Sequence, residues 1–331
     1  MPQMITRANF PDFCNNLEIR WRKAYSEFPK KASVLYDIED VSVDTGDESS
    51  MDGFSVAKRK KEGEDFAYLS INQNYRKAWN VQEIGGMTKI TWRMRAAAKY
   101  RDIQKSIDAL GRSTAKRLEW DMTHRFTFVT ATSYTNLDGE TIATTSGDGL
   151  QVAYSAHTVT GSALTYRNRV ANNPMLSKGG IEAAEKLFAT QMIDSNGELV
   201  QEDPTHIVVA NDPNTINTAI EYLRSTAAPD ASHAGVTNAY MGKYQLLVLP
   251  YLATTAAGAY DSTKAKYWFL INMNHKDAVL KVMQYPIFIP PTEQDGKEFE
   301  TMDWKYACHA AYAIEIVDPK WLVFSSGDAT A

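Results

Sequence analysis

Six histidines, at positions 124, 157, 206, 233, 275 and 309, are the side chains best suited to metal or acid–base chemistry, and they are scattered over nearly two hundred residues. No HxxxH or HExxH spacing joins them, so no zinc site is expected and each reads as a core or surface histidine. His157 stands apart, because Asp148 lies nearby in a glycine-containing loop with Ser146 and Ser155 around it. Without a GxSxG elbow, a hydrogen-bond network that stabilises a turn is a better expectation than a catalytic triad. Neither GxxxxGK[ST] nor GxGxxG occurs, so no phosphate loop is read, and Gly179-Gly180 only precedes a helix. The acidic runs Asp37-Ile38-Glu39-Asp40 and Glu293 to Glu300 read as solvated carboxylates, not as a glycosidase pair. Tyr240, Tyr244, Tyr251, Tyr260, Tyr267 and Trp268 could bind a sugar or nucleotide, but packing between strands is the favoured reading. No cofactor is expected.

The remaining reactive cluster is Lys58-Arg59-Lys60-Lys61, and its setting is one of charge, not catalysis. Residues 51–125 carry sixteen Lys/Arg against nine Asp/Glu, whereas 181–331 carry ten against nineteen, so +7 faces −9 within a chain of net charge −5. Such a division fits a basic segment of one subunit lying on the acidic part of another. Nucleic acid is a poorer partner, since the chain is acidic overall and lacks a basic stripe interleaved with aromatics. Cys14 and Cys308 lie at opposite ends without metal or redox spacing, which suggests folding in a reducing compartment. There is no signal-peptide pattern and no long apolar window, so a soluble protein without membrane association is expected. With 331 residues and 44% apolar content, the chain has room for two domains.

The elements that hold these groups begin with an arm. Phe13, Leu17, Trp21, Ala24 and Phe28 share a face of a short helix that Pro29 ends, and Val34 to Val43 alternates like a strand. Thr45 to Met51 turns to Asp, Gly, Glu and Ser, and Phe66 to Ile71 reads as a second strand beyond the basic run; together they predict a protruding hairpin with a charged tip. Lys89 to Met94 reads as the returning strand. A helical pattern runs from Thr88 to Ala131, with Tyr100, Ile103, Ile107, Leu110, Thr114, Leu118, Met122, Phe126 and Val129 on one stripe. From Ala97 to Val129 such a helix is about 50 Å long, so its stripe is expected to need cover from outside its own globule, and Gly111 is read as a bend. Residues 130 to 173 are loop and short hairpin, with turns at Asp138-Gly139 and Asp148-Gly149. Ser177 is predicted to cap a helix that stops at Asp194-Ser195-Asn196-Gly197. Strands at His206–Ala210, Tyr244–Leu249 and Tyr267–Ile271, with a helix opened by Asn211-Asp212-Pro213, predict a second, mixed α/β lobe. Strands at Ala307–Val317 and Trp321–Phe324 follow Gln294-Asp295-Gly296 and are expected to return to the first lobe.

This order of parts resembles the major capsid proteins of tailed bacteriophages, the Hong Kong 97-type fold that encapsulin shells also use. Local wording is similar too: Asp148-Gly149-Leu150 leading to Ser155-Ala156-His157, then Asn173-Pro174-Met175-Leu176-Ser177, then Asp194 to Leu199, then His206–Ala210 and Asn211-Asp212-Pro213, as in Mu-like head subunits. The resemblance implies an α+β fold with an N-terminal arm (1–44), an extended E-loop hairpin (45–88), a P-domain with a long spine helix (89–203 and 305–331) and an A-domain (204–304). It implies a structural protein and not an enzyme: a virion subunit that assembles in the host cytoplasm, through pentamers and hexamers, into an icosahedral shell around double-stranded DNA that it encloses without reading its sequence. Its partners are then other copies of itself, with room for portal, scaffolding and decoration proteins. The residues expected at inter-subunit contacts are Phe13, Trp21, Phe54, Lys58, Arg59, Lys60, Lys61, Phe66, Tyr68, Tyr75 and Trp79. Some members join subunits by lysine–asparagine bonds; the final stretch Asp318 to Ala331 has no Asn, so that linkage is not expected. The unbroken run from Met1 is read as a chain that loses no leading segment. Two rivals remain: an encapsulin-like compartment holding cargo enzymes, and an intracellular α/β enzyme or ligand-binding protein using the aromatic second lobe. The capsid reading requires extended apolar limbs that the chain itself leaves uncovered.

Overall fold

The computed structural model describes residues 10–41, 43–69, 71–97, 99–200, 203–227, 236–275, 280–285 and 303–329. Helix α1 (Phe10–Glu27) presents Leu17, Trp21 and Ala24, at steps of four and three, to α3 (Tyr100–Thr127). A Cβ on Gly111 of α3 would sit 2.8 Å from the Trp21 carbonyl oxygen and 3.2 Å from the Ala24 Cβ. Gly111 is therefore a contact residue within α3, which runs unbroken through it. Gly111→Leu should separate the two helices and lower the melting temperature, since overpacking a closed contact typically destabilises by about 1–3 kcal/mol. Equal melting of variant and parent in a calorimeter would contradict this packing.

The predicted helix over Thr88–Ala131 is broken up. Strand β4 (Gln82–Ile90) ends first, a short α2 (Trp92–Ala96) follows, and α3 begins only at Tyr100. Nor does its stripe need a neighbour. Ile103 and Ile107 pack with Leu17, Trp21, Ile90, Tyr306 and Cys308, while Leu118, Met122 and Phe126 pack on a sheet further along the chain. The amphipathic α1, which cannot form a core alone, supplies the missing cover.

That sheet is the centre of the molecule. Its order is β10 (Gln245–Leu249), β9 (His206–Ala210), β11 (Trp268–Ile271) and β14 (Leu322–Ser325), with β10 parallel to β9 and the other pairs antiparallel. Alternation sends Val208, Ala210, Phe269, Ile271, Leu322 and Phe324 towards α3, and Ile207, Val209, Trp268, Leu270 and Val323 towards α4 (Lys178–Thr190) and α5 (Pro213–Arg224). Both faces are covered, which is why these strands read as unbroken apolar runs. The caps read from sequence are present: Ser177 Oγ accepts the Gly180 N–H, and the Asp212 carboxylate accepts the Thr215 N–H, with Pro213 at the first helical position. Of the two final strands, β13 (Trp304–Ile316) joins the outer sheet, but β14 enters the central one.

The outer sheet runs β1 (Asp37–Asp40), β12 (Leu280–Tyr285), β13, β4. The strand expected over Val34–Val43 is shorter, because Ala32–Leu35 forms a 3₁₀ turn that buries Ala32, Leu35 and Tyr36. Glu119 of α3, itself fully buried, holds that turn by accepting the Ala32 N–H at 2.8 Å. Burial pushes the Glu119 carboxyl up to about 7, against the pull of the backbone N–H groups of Ala32 and Lys31. With a folded value above the unfolded 4.5, the native state binds more protons in that interval, so this group's contribution to stability declines as pH rises from 4.5 through about 7. Glu119→Gln should flatten that part of the pH–stability curve, and urea unfolding measured at intervals across it checks the slope.

The hairpin is formed by β2 (Thr45–Phe54) and β3 (Ile71–Asn80), the latter passing through Val81 directly into β4. The polar run Thr45–Met51 is strand: Gly46 fits under the Trp79 indole, where a Cβ would lie 2.5 Å from the ring, and Ser50 Oγ accepts the Tyr75 N–H. Conversely, residues 66–69 are not strand, and β3 starts at Ile71.

Candidate assembly surface and the root of the hairpin

The hairpin has two chemically distinct ends. At its tip, Phe54 (58%), Val56 (72%), Phe66 (81%) and Tyr68 (103%) are exposed, an apolar set that isolated chains in water rarely display together. Lys58, Arg59, Lys60 and Lys61 lie exposed among them; the Lys60 ammonium sits 3.9 Å from the centre of the Phe66 ring. The tip touches the body through the Val56 N–H, which reaches a Glu198 carboxylate oxygen at 3.2 Å.

The root is closed and charged. Tyr75 and Trp79 are buried, and the Tyr75 hydroxyl donates to the Thr158 carbonyl at 2.6 Å. A Cβ on Gly147 would meet the Tyr75 Cβ at 2.5 Å, so the Tyr75 side chain packs directly on the loop backbone there. Lys77 Nζ pairs with Glu315 of β13 at 2.7 Å. Trp79 also lines a cleft of about 610 Å³ between the root, α3 and β13, with Asp121, Arg125 and Tyr312 on its other walls.

Asp52 of β2 enters the body and meets Lys320, in the turn before β14, at 2.7 Å; the Asp318 carboxylate is 3.5 Å from the same ammonium. The three side chains are 7%, 2% and 3% exposed. Asp52 also accepts the Ser195 N–H at 2.6 Å. Burial opposes the Lys320 charge, but its two carboxylates outweigh this and hold the ammonium above its ordinary range. Burial raises the Asp318 carboxyl above its ordinary range, with Lys320 opposing the shift and Asp52 adding to it.

Beside this trio lies the His157 network. His157 Nδ1 is 2.7 Å from Asp148 Oδ2, and both side chains are buried. Asn168 donates through Nδ2 to the Val152 and Pro319 carbonyls, which fixes its Oδ1 as acceptor for the Tyr154 N–H and for His157 Nε2. Both ring nitrogens thus face acceptor oxygens, and the ring is held between Asp148 and Asn168. Burial works against the Asp148 charge, but the hydrogen bond and charge of His157, with Ser146 and the Leu150 N–H, keep its carboxyl below the usual range. Ser146 binds Asp148 and not His157, so the group is a structural knot that fastens the loop, in keeping with the turn network read from sequence.

The other histidines are structural as well. His124 accepts from Trp120 Nε1 and meets Thr254 Oγ1, and burial, then Lys264 and Arg117, push it down to about 3. His206 binds Thr205, and burial lowers it; His309 lies 3.3 Å from Glu83. His233, the side chain of His275 and the acidic run 293–300 lie outside the described residues. The tyrosines of the second lobe do not converge: Tyr240 stacks on Tyr244, Tyr251 stacks on Trp120, Trp268 is buried with its indole N–H on the Pro174 carbonyl, and Tyr260 is exposed. Among the described residues no His, Cys, Asp and Glu cluster is placed to hold a metal ion, and no helix is long and apolar enough to cross a membrane.

Of the eleven residues expected at subunit contacts, Phe54, Lys58, Arg59, Lys60, Lys61, Phe66 and Tyr68 project from the tip. Trp21, Tyr75 and Trp79 instead pack inside the chain, because α3, the 157–166 ribbon and Gly46 cover them. The side chain of Phe13 lies outside the described residues. Asp52, Lys320 and Asp318, which anchor the root, carried no recognisable spacing; the sole local hint is an Asp-Pro-Lys turn with Asp318 as its cap.

No family model matches the chain, and no curated protein matches it. Solved structures do. A chain from the capsid of Ralstonia phage GP4 superposes with a TM-score of 0.48 at 12% identity, over 86% of this chain and 83% of that one. A chain of Gordonia phage Cozz gives 0.47 at 10%, over 89% and 85%, and the virus-like particle from Pyrococcus furiosus gives 0.46 at 10%, over 94% and 98%.

Proposed function

We propose that this chain is a structural, non-catalytic subunit of a Hong Kong 97-type shell, in which the hairpin tip of each copy lies on a neighbour. One observation carries the reading: the root of the hairpin is fixed by buried ion pairs while its tip holds out Phe54, Val56, Phe66 and Tyr68. A loop that merely closed a domain would need no such anchorage, and apolar groups on a rigid support are what a partner surface binds without ordering them first. The limb available to neighbours is thus shorter than the sequence suggested, since α1 and the root are sheltered by their own chain. On this reading residues 1–44 are the arm, 45–88 the E-loop, 89–203 and 305–331 the P-domain with α3 as spine, and 204–304 the A-domain. Pentamers and hexamers of the chain close an icosahedral head around packaged double-stranded DNA, assembled in the host cytoplasm.

Negative-stain microscopy and light scattering of the overexpressed protein test this directly; shells are expected, and a homogeneous monomer at high concentration counts against the reading. Nucleic acid inside purified shells distinguishes a head from a cargo compartment. Replacing Phe54, Phe66 and Tyr68 together by Ser should abolish particles while leaving the melting temperature of the subunit within error. Changing Lys58, Arg59, Lys60 and Lys61 to Ser should weaken assembly and make its salt dependence visibly different from the parent's, because exposed charges are screened within about 10 Å at 0.1 M salt. Unchanged particle yield from both variants excludes the tip as the contact.

A further inference from the structure

Lys320 is buried with its ammonium between two carboxylates, 2.7 Å from Asp52 Oδ1 and 3.5 Å from Asp318 Oδ2. These groups come from segments 268 positions apart, the hairpin root and the turn before β14. The surroundings are more specific than an ion pair requires. The Ser195 N–H donates to Asp52 Oδ2 at 2.6 Å, and Asn74 Nδ2 lies 3.4 Å from Oδ1, so each carboxyl oxygen has a donor besides the amine. The Tyr75 ring closes one wall 5.9 Å from Nζ. An amine, an oriented carboxyl group and a second carboxyl group in a closed site satisfy the needs of a condensation: a desolvated nucleophile, a donor on the oxygen where charge gathers, and a proton carrier.

We propose that Lys320 and Asp52 condense to an intramolecular amide that staples the hairpin root to the turn before β14, with Asp318 as the proton relay. One proton of the Lys320 ammonium first passes across the 2.7 Å contact to Asp52 Oδ1, leaving an amine whose Nζ lone pair forms the bond to Asp52 Cγ, and negative charge collects on Oδ2 against the Ser195 N–H. The Cγ–Oδ1 bond then breaks. Oδ1 leaves as water carrying two protons that began on Nζ, one passed across the 2.7 Å contact and one through Asp318, which ends the reaction in the protonation state in which it began. An ammonium and a carboxylate become a neutral amide and one water, so no oxidant or cofactor is consumed. Exclusion of bulk water favours the product side and resists its hydrolysis. The bond lies within one chain and uses none of the tip lysines.

Intact-mass spectrometry of the folded, unassembled full chain decides the matter. The expected mass is that of the sequence less one water, and protease digestion should yield a branched peptide joining the segments that contain Asp52 and Lys320. Lys320→Arg keeps the charge but should show the full mass, and Asp318→Asn, with folding verified by circular dichroism, should lose most of the linked species. Parent protein at full sequence mass, without the branched peptide after prolonged incubation, overturns the proposal. A linked Asp318→Asn variant removes Asp318 from the relay. Because the readout is made on subunits, it is independent of whether shells form.

Discussion

Lys320→Met should be among the most damaging single changes in this chain, destabilising the subunit by about 3 to 5 kcal/mol, the usual consequence of removing one partner of a buried ion pair. Methionine approximates the aliphatic stem of the side chain but leaves Asp52 and Asp318 buried together without their cation. The variant should respond to acid in a revealing way. The Asp318 carboxyl, which burial already raises and which is now without its cation, titrates at higher pH in the folded than in the unfolded state, so the deficit should shrink as pH falls towards 5 and widen again towards 8. Urea unfolding at a series of pH values measures this. Replacing the trio together, by Asp52→Leu, Asp318→Leu and Lys320→Met, should recover much of the loss, since the damage comes from orphaned charge and not from missing attraction. A Lys320→Met protein as stable as its parent at every pH would show that the trio is not closed to solvent.

His157→Leu should have an effect of similar size, about 3 to 5 kcal/mol, for the same physical reason at a neighbouring place. Asp148 would keep the Ser146 hydroxyl and the Leu150 N–H but lose its 2.7 Å contact with the His157 ring, and Asn168 Oδ1 would lose a partner. The parent carries the signature of a depressed carboxyl: the stability that Asp148 contributes is complete above the unfolded carboxyl value and is lost as pH falls through the lower folded one. In His157→Leu that acid-sensitive component should disappear. His157 also stacks on Tyr166 at 5.1 Å, and Tyr166 lies beside the Tyr75 hydroxyl, so the variant should loosen the hairpin root as well. Hydrogen exchange of the β3 amides reads that loosening separately from global stability; protection equal to the parent's would confine the effect to the loop.

What could be read from the chain was local. The Ser177 and Asp212 caps, the turn at 194–197 and the strands of the central sheet are written in residues a few positions apart, and the structure has them where the pattern places them. The hairpin was legible as a protrusion because a polar, glycine-containing run and a basic cluster interrupt two extended segments. Its register was not. Gly46, Ser50 and Asp52 look like turn residues in isolation, and only the arrival of Trp79, Tyr75 and Lys320 makes each of them the fitting choice for a strand. The same limit governed α3: a stripe of apolar residues reports that something covers it, and cannot say that α1 of the same chain does so. Lys320 shows the extreme case, a charge that nothing in the sequence singles out and that is 2% exposed because its partners come from elsewhere in the fold or from a turn whose closure sequence does not reveal.

Strand β3 passes into β4 with no loop between them, and β4 is hydrogen-bonded along nine positions to β13, whose other edge carries β12. A load on the distal end of the hairpin would therefore pass along one extended backbone to the β4–β13 pair, next to α3. If copies close into the shell proposed above, strain imposed by one neighbour would reach the middle of the next along this uninterrupted strand.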